Sequence, residues 1–242
     1  MGCIRVKGNL TVRLAAALEL LTLNDSSFES VADIGCDHGK LSLEILRSGA
    51  AKRVIASDIS LASLSKARLL AVKHSLESKL RCIISDGFSS YSKDEVQAAV
   101  ICGMGGELIA EILDNRSDIS HSLKRIIMQP MRGEAELRNY LYMHNFRIIA
   151  ERVVFDAGRY YQLLCAESGT PSALPNGWPN DYYQFGAVAF ETHEELFEPM
   201  LRRYLGIIER KLLNSDTKPD TLLFEEDSVK RILALISERN VL

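Results

Sequence analysis

The stretch FRIIAERVVFDAGRYYQLLCAE, residues 146–167, decides the fold. Residues 146–155 and 160–167 are rich in β-branched and aromatic side chains, and between them stands Asp156-Ala157-Gly158-Arg159 with no helical periodicity. Two such runs across a short Gly-containing turn read as a β-hairpin. The chain before it reads differently. Short apolar runs end near Gly35, Asp58, Ser85, Cys102 and Gln129, and helical stretches fall between them at about 39–48, 61–76, 105–113 and 133–144. Strands alternating with helices make βαβ units and a parallel, doubly wound sheet. The expected fold is therefore α/β: a seven-stranded, mostly parallel sheet closed by an antiparallel hairpin.

Outward from this core, Leu10, Leu14, Ala17, Leu18 and Leu21 recur at helical spacing, with Asn9 as the cap, so a helix opens the chain. After the hairpin, Gly169, Pro171, Pro175, Gly177 and Pro179 mark a linker over 169–180. Leu196, Met200, Leu201, Tyr204, Leu205, Ile208 and Leu212 then outline one amphipathic helix, and Val229, Ile232, Leu233 and Ile236 a second. The expected organisation is one domain over 1–168 and a C-terminal helical hairpin, coiled-coil-like, over 181–242.

Composition narrows the class. At 47% hydrophobic and 25% charged residues the chain is an ordinary globular one, without an apolar run long enough to span a bilayer and without the apolar core of a signal peptide. Its five cysteines are odd in number and scattered, which argues against a disulfide scaffold or structural zinc and for reduced thiols in a cytoplasmic protein. No metal is expected. The net charge of −3 does not advertise a nucleic-acid binder, although Arg5, Lys7 and Arg13 make the N-terminus locally basic and Arg132, Arg138, Arg147, Arg152 and Arg159 form an arginine-rich stretch.

In a doubly wound sheet the ligand lies outside the carboxyl ends of the strands. There the first strand runs into Asp33-Ile34-Gly35-Cys36-Asp37-His38-Gly39, a D-x-G-x-D-x-G turn whose glycines let the backbone approach a ligand and whose following helix can hold an anionic group. It lacks the G-x-G-x-x-G spacing suited to a pyrophosphate. Asp58, followed by Ile59, ends the next strand, where a carboxylate can accept from ribose hydroxyls. Asp86-Gly87 ends the third, where an acid can accept from an adenine amino group with Phe88 as a stacking wall. Three acids at three successive strand ends favour a nucleoside-bearing cofactor without phosphates. Gly103-Met104-Gly105-Gly106 after the fourth strand would admit a flat substrate, and Gln129-Pro130 after the fifth offers an amide to a base edge.

The terminal hairpin is usual in class I methyltransferases and normally missing from dinucleotide-binding oxidoreductases. More specifically, D-I-G-C-D-H at 33–38, G-M-G-G at 103–106 and Gln129-Pro130, together with Leu10-x-x-Arg13-Leu14 and Asp156-x-Gly158-Arg159-x-Tyr161, resemble the bacterial tRNA (adenine-22, N1)-methyltransferases over nearly the whole chain. The chain departs from that pattern at Cys36, at Gly39-Lys40-Leu41-Ser42 and at Met131. The resemblance implies S-adenosylmethionine as cofactor, tRNA as partner, no membrane, and methyl transfer to N1 of an adenine. It implies Asp33, Gly35, Cys36, Asp37, His38, Asp58, Ile59, Asp86, Gly87, Gly103 and Met104 for the cofactor. Asp37 and Gln129 would be catalytic, and Arg13, Gly105, Gly106, Pro130 and Tyr161 would meet the substrate. A monomer is favoured. Three other readings stay open: an NAD-dependent oxidoreductase, which would leave the G-M-G-G loop unexplained, a methyltransferase for a small molecule or a protein, and a noncatalytic RNA-binding module.

Overall fold

The computed structural model describes residues 10–179, 182–215 and 217–239. Arg5, Lys7 and the expected cap Asn9 lie outside the described residues. The first helix, α1 (Val12–Leu21), starts at Thr11, whose hydroxyl accepts from the Leu14 N–H.

The alternation then follows the sequence pattern: β1 (Phe28–Ile34), α2 (Lys40–Arg47), β2 (Ala51–Asp58), α3 (Leu61–Lys73), β3 (Leu80–Ile84), β4 (Ala98–Met104), α4 (Gly106–Asn115), a four-residue helix α5 (Ser117–Ser120), β5 (Arg125–Pro130) and α6 (Glu134–Met143). The hairpin is β6 (Phe146–Asp156) and β7 (Arg159–Ser168). Its two turn residues, Ala157 and Gly158, both have positive φ (46° and 80°), the geometry whose twist matches that of the flanking strands.

These strands form one seven-stranded sheet in the order β3-β2-β1-β4-β5-β7-β6. Pairings among β1 to β5 are parallel, and β7 joins β5 and β6 antiparallel. The winding direction reverses between β1 and β4, which opens a crevice at their carboxyl ends. One face of the sheet is covered by α1, α2 and α3 through residues such as Leu20, Leu21, Ile45 and Leu64, and the other by α4 and α6 through Ile109, Leu113, Leu137 and Leu141.

A third apolar cluster joins a short helix α7 (Ala187–Glu191), α8 (Phe197–Leu213) and α9 (Asp220–Arg239) around Met200, Leu201, Ile208, Val229 and Ile232, and it reaches Val153 of β6. The two long helices pack as a pair, as the apolar spacing implies. The segment leading into α7 is fastened to the sheet by a buried ion pair. Arg138 Nε donates to Glu151 at 2.8 Å, its Nη2 donates to Gln162 at 2.8 Å, and its Nη1 donates to the Tyr183 and Gln184 carbonyls at 3.1 Å. The second Glu151 oxygen accepts the Ala189 N–H at 3.0 Å.

Candidate active site

A cleft of about 570 Å³ opens at the carboxyl ends of β1, β2 and β4, beside the point where the winding reverses. Its floor is the turn after β1. The N–H groups of Gly35 and Cys36 both donate to the Ser57 carbonyl at 2.8 and 3.0 Å, which ties the turn to the end of β2. Gly35 has φ +71°, and Met104 covers it so closely that a Cβ there would collide with the Met104 methyl. Gly39 is equally constrained, since its Cβ would sit 2.7 Å from that of Ala67 on α3.

Asp37 stands where a glycine is usual in such turns, and the structure gives the reason a side chain is tolerated. Its φ is +48°, in the left-handed region that Asp and Asn enter more easily than other side chains. Its N–H donates to Asp58 Oδ2 at 3.1 Å, while Asp58 Oδ1 accepts the Ser60 N–H at 2.8 Å. The Asp37 carboxylate is left three-quarters exposed at the cleft. Next to it, His38 Nε2 lies 2.8 Å from Lys66 Nζ and 3.4 Å from Asp37 Oδ1.

Asp33 is deeper. It is 4% exposed, and one carboxylate oxygen accepts the Ser42 hydroxyl at 2.5 Å. Burial pushes its pKa up to about 6, against the lowering effect of Ser42 and reinforced by the nearby Asp58 charge. Burial likewise pushes the Cys36 and Cys102 thiols up, so neither cysteine of the cleft is disposed to act as a thiolate nucleophile.

The far wall is made by two loops locked to each other. The Met131 N–H donates to the Met104 carbonyl and the Gly106 N–H to the Arg132 carbonyl, each at 2.8 Å. Gly106 faces Gly133 so closely that a Cβ would strike the Gly133 carbonyl oxygen. Arg13, in the first turn of α1, completes this side. Its Nε donates to Asp156 at 3.2 Å, its Nη1 donates to Gln129 Oε1 at 3.2 Å, and its guanidinium lies 4.7 Å from the centre of the Tyr161 ring. Gln129 is 1% exposed and its amide is held at both ends, since Nε2 donates to the Pro130 carbonyl at 2.5 Å.

The cleft thus brings together Arg13, Asp33, Gly35, Cys36, Asp37, His38, Asp58, Ile59, Asp86, Gly87, Gly103, Met104 and Gln129. Gly105, Gly106, Pro130 and Tyr161 do not line it; Pro130 and Tyr161 act behind the wall, on Gln129 and Arg13. Phe88 is not a stacking wall: it is 1% exposed and packs edge-on against Tyr91 in the core. The apolar surface instead comes from Ile59, Leu108 and Ile112. Leu108 and Ile112 carry no local sequence signal, because they are two positions of an amphipathic helix that happens to border the cleft.

A family profile described as a methyltransferase domain matches residues 10–164. Among curated proteins, the tRNA (adenine(22)-N(1))-methyltransferase of Bacillus subtilis is 33% identical over 147 residues, which cover 61% of this chain and 62% of that protein. The match therefore spans somewhat less than two thirds of the relative. Among solved structures, the B. subtilis M1A22 tRNA methyltransferase superposes with a TM-score of 0.76 at 25% identity, over 96% of this chain and 99% of that one. A Streptococcus pneumoniae protein, described as a candidate tRNA (m1A22) methyltransferase and solved with S-adenosyl-L-methionine, gives a TM-score of 0.80 at 26% identity over 93% and 99%. With the sheet order, the strand-end carboxylates and the profile in agreement, the chain belongs to the methyltransferase-domain family.

Proposed function

We propose that this protein transfers the methyl group of S-adenosylmethionine to N1 of an adenine in tRNA. The observation that carries the reading is the cleft itself: Asp33, Asp37, Asp58 and Asp86 converge where the winding reverses, beside Gly103 and Met104. Such an acceptor set fits a nucleoside that bears cationic groups and ribose hydroxyls, and it disfavours a pyrophosphate. It therefore favours S-adenosylmethionine over NAD. The tRNA part rests on the likeness to the B. subtilis enzyme, which extends through the C-terminal helices.

When bound, S-adenosylmethionine supplies an electrophilic methyl carbon on a sulfonium. The residues of this chain supply position. In this reading Asp58 takes the ribose hydroxyls, Asp33 a cationic amino group and Asp86 the adenine amino group. N1 of a neutral adenine carries an in-plane lone pair, so attack needs alignment more than base catalysis. Methylation leaves a positive charge on the ring. In this reading the exposed Asp37 carboxylate stabilises it. Arg13 and Gln129 hold the wall against which the base is seated. N1 lies on the Watson–Crick edge, so a paired target must first be turned out of its helix. The sheet portion up to residue 168 carries this chemistry, the helices from 181 onward assist with RNA, and the scattered thiols suit a reducing cytoplasm.

Two measurements test the reading. Calorimetry should give binding of S-adenosylhomocysteine and none of NAD. Incubation with labelled S-adenosylmethionine and unmodified tRNA, followed by digestion to nucleosides, should yield 1-methyladenosine; cofactor binding without any methylated nucleoside contradicts the assignment.

A further inference from the structure

The tip of the β6–β7 hairpin presents a surface that the cleft does not explain. The pairing of β5 with β7 ends at Met128 opposite Leu164. From there the hairpin runs on alone for about five residues, roughly 16 Å, to its turn. It overhangs the carboxyl edge of the sheet, on the side where the cleft opens. Strand alternation puts Arg159 and Tyr161 on the face turned to α1 and Arg13, and Phe155 and Tyr160 on the face turned to α8.

Phe155 is 45% exposed, although its ring centre lies 4.8 Å from that of Tyr160. Arg203 of α8 stands over the same two rings at 5.7 and 6.0 Å and donates through Nη2 to the Gly158 carbonyl at 2.9 Å. Arg159 lies 5.6 Å from the Tyr161 ring centre. Nearby arginines are neutralised: Arg13 by Asp156, Arg152 by Glu194 and Arg202 by Glu198. Among the described residues Arg159 and Arg203 have no carboxylate partner within 4.0 Å. An exposed aromatic ring with a guanidinium over it on one face of the tip, and a second uncompensated guanidinium on the other face, suit a strand that crosses the tip and offers a base to stack and phosphates to pair. The Arg159 face of the tip adjoins the cleft, because Asp156, paired across the hairpin with Arg159, holds Arg13.

We propose that the hairpin tip and the adjoining face of α8 bind the RNA strand that flanks the target nucleotide. This rests on the tRNA reading above. Phe155 stacks on a neighbouring unpaired base, while Arg159 and Arg203 hold phosphates. The turned-out adenosine is thereby kept over the cleft while its neighbours are prevented from closing the gap.

The test uses the full chain and an unmodified tRNA transcript, with binding measured across salt concentrations and turnover at saturating cofactor. The double variant Arg159→Glu, Arg203→Glu should raise Kd and KM for tRNA ten-fold or more, with kcat at saturating RNA within three-fold of wild type. Its log–log salt slope should be shallower by about 1 for each arginine. Phe155→Ala should raise KM by about five-fold or more, and Phe155→Trp should restore it. S-adenosylhomocysteine binding should stay unchanged in all of them, which verifies that the cleft is folded. Arg53→Glu, an exposed position near the start of β2 at the other end of the sheet, should leave KM unchanged. Wild-type KM and salt slope in the double variant overturn the surface while leaving the methyltransferase reading standing. An equal loss in Arg53→Glu does the same, since the effect would then be one of overall charge. Failure of the wild-type chain to bind tRNA at all removes the tRNA reading itself.

Discussion

Replacing Asp33 by Asn separates what the cleft does for the cofactor from what it costs the fold. Asp33 is fully enclosed at the base of the cleft with one hydroxyl donor, and its pKa is raised from 3.8 to about 6, chiefly by burial. A displacement of about two pH units corresponds to about 3 kcal/mol. The folded chain keeps this proton up to about pH 6, whereas the unfolded chain releases it near 3.8. The contribution of Asp33 to stability without ligand is therefore full below pH 3.8, is lost as pH climbs through 6, and stays absent above it. Asn carries no charge to bury and can still accept from Ser42. In thermal melts at pH 7.5 without cofactor, Asp33→Asn should melt roughly 6–12 °C above wild type. The difference between the two midpoints should shrink as pH is lowered from 7.5 through 6 towards 3.8. A bound cationic group returns the lost energy to the wild type, so S-adenosylmethionine should raise the wild-type midpoint more at pH 7.5 than at pH 5. It should bind the Asn variant at least ten-fold more weakly. An Asn variant that melts below wild type at pH 7.5 and follows the same pH curve would refute this reasoning.

Three further outcomes follow from the geometry. Gly106→Ala drives a methyl group into the Gly133 carbonyl, so the two loops must part; an overpacking cost of about 1–3 kcal/mol is expected, and steady-state assays should show kcat for methyl transfer falling ten-fold or more while the cofactor Kd changes far less. Arg138→Met leaves Glu151 charged and buried without its partner, which should cost about 3–5 kcal/mol in urea unfolding, and adding Glu151→Leu should recover most of the loss. Asp37→Asn should bind S-adenosylhomocysteine nearly normally by calorimetry yet lose most of its turnover; unchanged turnover removes Asp37 from the chemistry.

Much of this architecture is legible in the chain because each strand is an apolar run stopped by a glycine or an acid. Asp33, Asp58 and Asp86 fall at consecutive strand ends, and topology alone then gathers them in one crevice. The hairpin is legible for a similar reason, as Ala157-Gly158 can only be a tight turn between two β-rich runs. What stays hidden depends on partners far away in sequence. Gly106 reads as a loop glycine, and only Gly133, 27 positions on, explains why no side chain fits there. Phe88 follows a strand-end acid and looks like a wall for a base, but Tyr91 and the α4 side of the core claim it. Arg13 is singled out only by the resemblance, and its charge alone reads as one of several scattered basic residues. Its position is set by Asp156, Gln129 and Tyr161, more than 110 residues downstream.

The methyl-transfer reading is tested most directly by a pair of tRNA transcripts that are identical except at position 22, adenosine in one and guanosine in the other. Each is incubated with the protein and S-adenosylmethionine and then digested for nucleoside mass spectrometry. With position 22 taken from the B. subtilis relative, 1-methyladenosine is expected from the adenosine-22 transcript and none from its partner. Equal methylation of both transcripts, or a methylated nucleoside other than 1-methyladenosine, would contradict that reading.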